Sequence, residues 1–312
     1  MEALRGSVVA TLKADKVKAR VASLGSSVRV EGPEPVRVAE TFRFTPGVSW
    51  IAVGESASSF KALVAAGAGL ARKYLRRGDG FVVLSEAGGG SFASDVSGAI
   101  VSACLEAVRG SRVREEAPKV IFRAALDGAQ GAVGVQITAG PGGIPTGPEE
   151  VACLVSGGRH SAVVAWAGLL AGYRLKLVHS MVDESSLLAV ARLYSELSHR
   201  VAPGSMSLVV LESEAPSAAL EAWVLEDRGT TFGGFHTGGA ERARLARRVR
   251  SPLFLLPEEE FTSRFEGLSI VEHGAEAGWK RARSTVYGVL KFDGGRAEVS
   301  DVLDGLRRPR RS

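Results

Sequence analysis

Hydrophobic and polar positions follow two rhythms along the 312 residues. Residues 1–53 read as short strands around one helix: 7–12 and 27–31 alternate or run apolar, and 48–53 is a third β-rich stretch. Gly32-Pro33-Glu34-Pro35 and Thr45-Pro46-Gly47 mark turns. Over 59–75 the apolar residues Phe60, Leu63, Val64, Leu70 and Leu75 recur at helical spacing, and basic residues followed by Gly78 give an ordinary helix stop. A strand at 81–84, a Gly88-Gly89-Gly90 loop, a helix at 95–108 and strands at 120–125 and 133–138 follow.

Residues 139–148 hold four Gly and three Pro, which continue neither helix nor sheet, so the sequence predicts a hinge-like linker there. Beyond it, strand and helix patterns alternate: strands at 151–155, 175–178 and 208–211, helices at 161–171 and 185–201. Continuous apolar strands in that order predict a parallel sheet covered on both faces. The pattern weakens after Ala215. A helix at 215–226, a glycine-rich loop at 229–239, an arginine-rich helix at 240–250 and strands at 253–256 and 268–271 are expected, with a disordered basic tail at 307–311.

Composition narrows the class. Hydrophobic residues make up 45% and charged residues 23%, with a net charge of +5, as expected of a soluble protein able to meet an anionic partner. The longest apolar stretch, 162–172, is about half of what a membrane span needs. Neither Cys104 nor Cys153 lies in a metal or redox pair, so a reducing cytoplasm is the expected compartment. The chain has no Asn and two Gln, Gln130 and Gln136, which fits a thermophilic source or a GC-rich coding bias.

Candidate chemistry concentrates at Ser156-Gly157-Gly158-Arg159-His160-Ser161, between an apolar strand and a helix. Such a turn aims backbone N–H groups and the positive end of the helix dipole at one point, and glycines let an anion approach. The alternative is a tight turn whose glycines serve packing alone. Neither GxGxxG nor GxxxxGK[ST] is present. His179, near Asp183, is either a core histidine or one facing the ligand crevice. His199, His236 and His273 are scattered without metal spacing. No metal site and no catalytic set is assigned.

Gly140-Pro141-Gly142-Gly143-Ile144-Pro145-Thr146-Gly147, then a strand, then Ser156-Gly157-Gly158-x-x-Ser161, resembles the junction of the tRNA 4-thiouridine synthetases (tRNA sulfurtransferases). In that family a THUMP domain ends in G-x-G-G-[LI]-P-x-G, and a PP-loop of form S-G-G-x-D-S follows. The resemblance implies an α/β chain with a ferredoxin-like N-terminal domain at 1–53, a THUMP RNA-binding domain at 54–147, and an incomplete, doubly wound, mostly parallel PP-loop domain at 148–312. It implies tRNA as partner and ATP as cofactor, with Ser156, Gly157, Gly158 and Ser161 on the phosphates and Arg159 and His160 adding positive charge. Magnesium is left unknown.

Departures bear on activity. His160 replaces the loop's Asp, no cysteine follows Cys153 to carry a persulfide, and the segment after Leu211 looks shortened. Ser85-Glu86-Ala87 stands where the family is basic. Positive charge remains at Arg72, Lys73, Arg76, Arg77, Arg109, Arg112, Arg114 and Lys119, suited to salt-sensitive phosphate contacts or to a solvated helix end. The expectation is a tRNA-binding accessory or non-catalytic factor in tRNA modification. The alternatives are an active ATP-dependent thiolase served by an external sulfur donor, and an interaction scaffold without RNA. Homodimerisation is left open.

Overall fold

The computed structural model describes residues 1–88, 92–226, 231–233, 288–293 and 295–307. The described residues mix helices and strands in an α/β fold, and the chain divides into two compact units, Met1–Gly142 and Gly143–Ser312.

Unit 1 begins with helix α1 (Glu2–Ala14), where a strand was expected over 7–12. The β-branched pair Val8-Val9 suggested a strand, but the wider window has helical spacing. Ser7, Val8, Thr11 and Leu12 share one buried face, while Val9 faces solvent. Strands β1 (Arg20–Leu24) and β2 (Ser27–Glu31) form an antiparallel hairpin. Helix α2 (Pro35–Thr41) follows, with Pro35 opening the helix where a turn was expected. With β3 (Trp50–Ala57), the order is that of a ferredoxin-like unit from its first helix onward. Val8, Leu12, Val38 and Phe42 form its small core.

Strand β3 pairs with neither strand of that hairpin and belongs to a second sheet. Helix α3 (Phe60–Tyr74), strand β4 (Gly80–Gly88), helix α4 (Ala93–Ala107), and strands β5 (Arg112–Val113), β6 (Val120–Asp127) and β7 (Gln130–Ala139) complete it, in the order β3-β7-β6-β4-β5. Strand β4 runs parallel to β5 and β6, whereas β7 is antiparallel to β6 and β3. Ser59 caps α3 by accepting the Ala62 N–H at 3.2 Å. One face of the sheet buries Phe81 and Phe122, edge-to-face at 5.9 Å between ring centres, under Leu63, Leu70 and Ile100 of α3 and α4. On the other face the hairpin turn is tied to the sheet. Gly25 N–H donates to Asp127, and the Ser26 and Ser27 hydroxyls donate to Glu86. Glu86, which stands where basic residues were looked for, therefore anchors the hairpin. A mixed sheet with two helices is the arrangement that the resemblance implied for this part of the chain.

Unit 2 contains β8 (Glu150–Leu154), α5 (Arg159–Leu170), β9 (Arg174–Met181), α6 (Glu184–Ser198), β10 (Met206–Glu212), α7 (Pro216–Glu226), β11 (Thr231–Gly233), β12 (Gly288–Phe292) and α8 (Val299–Arg307). The sheet order is β11-β8-β9-β10-β12. The first four strands are parallel, and β12 is antiparallel to β10. Buried residues of α5, α6 and α8 cover one face, packing on Val151, Cys153, Leu175, Leu177 and Leu208. Helix α7 covers the other, over Ala152, Leu154, Val178, Val209 and Leu211. The strands are buried on both sides, which explains their unbroken apolar runs.

The expected glycine-rich loop contains a strand, since Thr231–Gly233 pairs with β8, and Arg307 closes α8 rather than opening a free tail. The expected elements at 240–250, 253–256 and 268–271, with His236, His273 and residues 308–311, lie outside the described residues. The glycine-proline stretch is hydrogen-bonded at both ends. Gly140 and Gly142 donate to the Ser49 and Val48 carbonyls of unit 1; Ile144 and Gly147 donate to the Leu170 and Gly172 carbonyls of unit 2.

Candidate functional site

From β8 the chain passes through α5 to β9 and through α6 to β10, always to one side. Helix α7 then returns it to β11 on the other side of β8. The strand order reverses at β8, and in open parallel sheets the crevice outside the carboxyl ends at such a reversal is where ligands bind. Residues 156–161 leave β8 at that point.

The two glycines do different work. Gly157 has φ +85°, and a Cβ there would stand 2.6 Å from the Cβ of Ala189 on α6, so packing alone demands glycine. Gly158, the N-cap of α5, has φ −78°, and a Cβ there would meet nothing nearer than the Ser156 hydroxyl at 3.6 Å. Nothing within the described fold requires glycine at 158. No side chain caps α5, and its first turn carries no acidic residue.

Ser161 is buried, and its hydroxyl oxygen accepts the Ser156 N–H at 2.8 Å, stapling the loop. The Ser156 hydroxyl is 3.1 Å from that of Ser161 and lies on the exposed side. Arg159 and His160 are the first two residues of α5. Among the described residues, no group of three or more His, Cys, Asp or Glu is placed to hold a metal ion.

His179 lies inside β9, where the sequence had placed it just beyond a strand, and is 2% exposed. Its Nδ1 is 3.0 Å from the carbonyl oxygen of Val155, and its Nε2 is 3.2 Å from the Ser186 hydroxyl. Burial pulls its pKa down to about 4, so the ring is neutral at neutral pH. Ser186 belongs to a capping box at the start of α6, in which Asp183 Oδ1 accepts the Ser186 N–H at 2.7 Å. The Asp-x-x-Ser spacing at 183–186 was a readable cap signal that the sequence reading did not use.

Both cysteines are buried and free. Burial raises Cys153 to about 12 and Cys104 to about 11, so neither thiol ionises readily. His199, on the surface, meets Glu298 at 3.3 Å.

The eight candidate cations of unit 1 gather at one end of its sheet. Arg72 and Lys73 end α3; Arg76 and Arg77 lead into β4; Arg109, Arg112 and Arg114 flank the entry to β5; Lys119 precedes β6. Because β4, β5 and β6 are parallel, their entries coincide. Gly78 N–H donates to Gly110, Arg112 N–H to Asp79, Arg114 N–H to Phe81, and Lys119 N–H to Gly80. All eight side chains are exposed. Two glycines clear space for arginine stems: a Cβ at Gly110 or Gly80 would stand 2.9 Å from Arg77 or Arg114 respectively. Arg76 donates to the Leu75 carbonyl at 2.9 Å, and Lys119 pairs with Asp79 at 2.9 Å, holding that carboxyl below its usual range. Lys73 lies 5.3 Å over the exposed ring of Tyr74.

Among the described residues, no helix is long and apolar enough to cross a membrane. No family model matches the sequence, and no curated protein matches it. Solved structures do match. PH1313 from Pyrococcus horikoshii Ot3 superposes with a TM-score of 0.67 at 17% identity, over 86% of this chain and 94% of that one. A 4-thiouridine synthetase, solved as an RNA complex with bound ATP, superposes with a TM-score of 0.62 at 14% identity, over 86% of this chain and 79% of that one. At such identities the likeness is one of fold, and the fold is that of the THUMP and PP-loop architecture.

Proposed function

We propose that the chain binds tRNA through unit 1, holds a phosphate-bearing ligand at residues 156–161, and serves tRNA modification without thiolating uridine by itself. In this reading 1–53 is the ferredoxin-like entry, 54–147 the THUMP module and 148–312 the PP-loop-derived module. The observation that carries the phosphate assignment is Gly158. It is uncrowded at an ordinary φ, beside the point where the strand order reverses. A close-approaching anion supplies the reason for glycine that the protein's own packing does not.

ATP is the phosphate ligand that the resemblance suggests, and the Ser156 hydroxyl and loop amides would be its donors. Arg159 and His160 make the loop cationic by composition. With histidine at 160 and no acid in the first turn of α5, the loop offers no carboxylate for magnesium. ATP would supply the adenylating group where uridine is activated. This chain's residues would hold and orient the phosphates. The chain's two cysteines are both buried with raised pKa values, which supports a non-thiolating role.

The tRNA assignment rests on the eight exposed cations at one sheet end. Calorimetric titration with ATP, with Gly158→Trp as the blocked control, tests the first assignment; absence of ATP binding removes it. Filter binding of tRNA at rising salt tests the second. Nucleoside mass spectrometry on a deletion strain tests the non-thiolating role. Loss of 4-thiouridine would replace it with the active-thiolase reading.

A further inference from the structure

We infer that His179 is the positioning residue of the 156–161 loop, setting its height above the sheet by holding the Val155 carbonyl and referring it to the start of α6. The inference rests on the phosphate-binding reading of that loop.

Val155 is the last residue before the loop. Its N–H donates to the Val178 carbonyl at 2.9 Å, continuing the β8–β9 ladder one residue past the end of β8. Its carbonyl oxygen accepts from His179 Nδ1 at 3.0 Å. A carbonyl has no proton to give, so Nδ1 carries the ring hydrogen and Nε2 is left as an acceptor. Nε2 faces the Ser186 hydroxyl at 3.2 Å, whose proton is shared with the Asp183 carbonyl at 2.8 Å. The Ser186 oxygen also accepts the Asp183 N–H at 3.2 Å. One neutral, buried ring thus joins the last strand residue before the loop to the capping box of α6.

Two residues later the loop meets α6 again, where Gly157 rests on Ala189. These contacts register residues 156–158 against the first turns of α6. The direction of the following amides depends on that register. An anion site built from backbone amides has no side-chain slack to absorb an error, so a peptide held wrongly costs affinity directly. His179 does this from beneath, without touching the ligand.

Three replacements separate the two ring contacts. In His179→Asn the amide nitrogen takes the place of Nδ1 and keeps the Val155 bond. His179→Gln reaches the Nε2 position and keeps Ser186 instead. His179→Leu keeps neither. The full-length protein is titrated with ATP, and each variant's melting temperature is recorded. The expected result is roughly tenfold weaker ATP binding for Gln and Leu, with Asn close to the parent protein, although Asn and Gln lose similar thermal stability.

A ligand-free measurement reports the same geometry. The amide resonances of Ser156, Gly157 and Gly158 should shift in Gln and return toward parental positions in Asn. Equal ATP affinity in Asn and Gln, or loop resonances unmoved in Gln, would overturn the role of His179 while leaving the phosphate site standing. If the parent protein itself binds no ATP, the phosphate reading fails and this inference fails with it.

Discussion

Gly157 rests on Ala189 so closely that a methyl group at 157 would stand 2.6 Å from the Ala189 Cβ. The loop backbone and α6 therefore touch without side-chain padding, at φ +85°. Gly157→Ala should cost roughly 2–4 kcal/mol, since it adds left-handed strain to an overpacked contact. Gly158→Ala should melt like the parent protein. Scanning calorimetry of the two variants checks the contrast; equal losses would contradict it.

The neutral state of His179 has a pH signature. Its folded pKa is about 4, below the unfolded 6.5. As pH falls from 6.5 the unfolded chain takes up a proton that the folded chain refuses until about 4. Stability is thus fully present above 6.5, declines between 6.5 and 4, and levels off below. The decline attributable to this ring is about 2–4 kcal/mol. Denaturant melts across that window should show it, and His179→Leu should flatten it.

Asp79 acts in the same direction, lower on the pH scale. The Lys119 ammonium at 2.9 Å keeps its carboxyl below 3.8, with the Arg76 N–H also donating to it. Its contribution is present above the unfolded pKa and disappears as pH falls through the lowered folded value. Asp79→Asn should remove that acid limb and leave the neutral-pH fold intact, as read by circular dichroism between pH 2 and 5.

The cations at the entries of β4, β5 and β6 predict an electrostatic binding mode. Arg77→Ala and Arg114→Ala should each weaken tRNA retention and lower the salt slope by about one. Arg37→Ala, on α2 and paired with Glu34, should leave the slope unchanged. Filter binding at several salt concentrations distinguishes these outcomes. Equal slopes in all three variants would remove the sheet end as the RNA contact.

Both thiols should resist alkylation in the native protein and react on unfolding, given pKa values of about 11 and 12. Native labelling of Cys153 would contradict its burial and its raised pKa.

What could be read from the chain depended on how local the governing interaction was. The α5 entry was legible because an apolar strand, two glycines and a helix follow one another directly. Helix α1 was misread because Val8 and Val9 taken alone favour a strand, and only the burial of Ser7, Val8, Thr11 and Leu12 on one side shows the helical period. The short strands β11 and β12 escaped notice. Three and five residues carry little periodic signal, and their partners lie far away in sequence. The link from His179 to Val155 spans 24 positions and exists only once β8 and β9 are side by side. The sequence signalled that position 179 held a polar group near a strand end, but not what it touched.

Strand β12 borders β10, and the segment after it folds back so that the Tyr194 hydroxyl is shared between the Met206 and Gly295 carbonyls, with α8 on α6. Among the described residues, that edge of the second sheet is therefore supplied by residues that leave the ribosome some seventy-five positions after the strand they cover. During synthesis β10 waits for β12, and α8 packs on α6 only when residues 299–307 have emerged. Unit 1 contains all five strands of its sheet by residue 139, so it is free to fold while its neighbour is still being made.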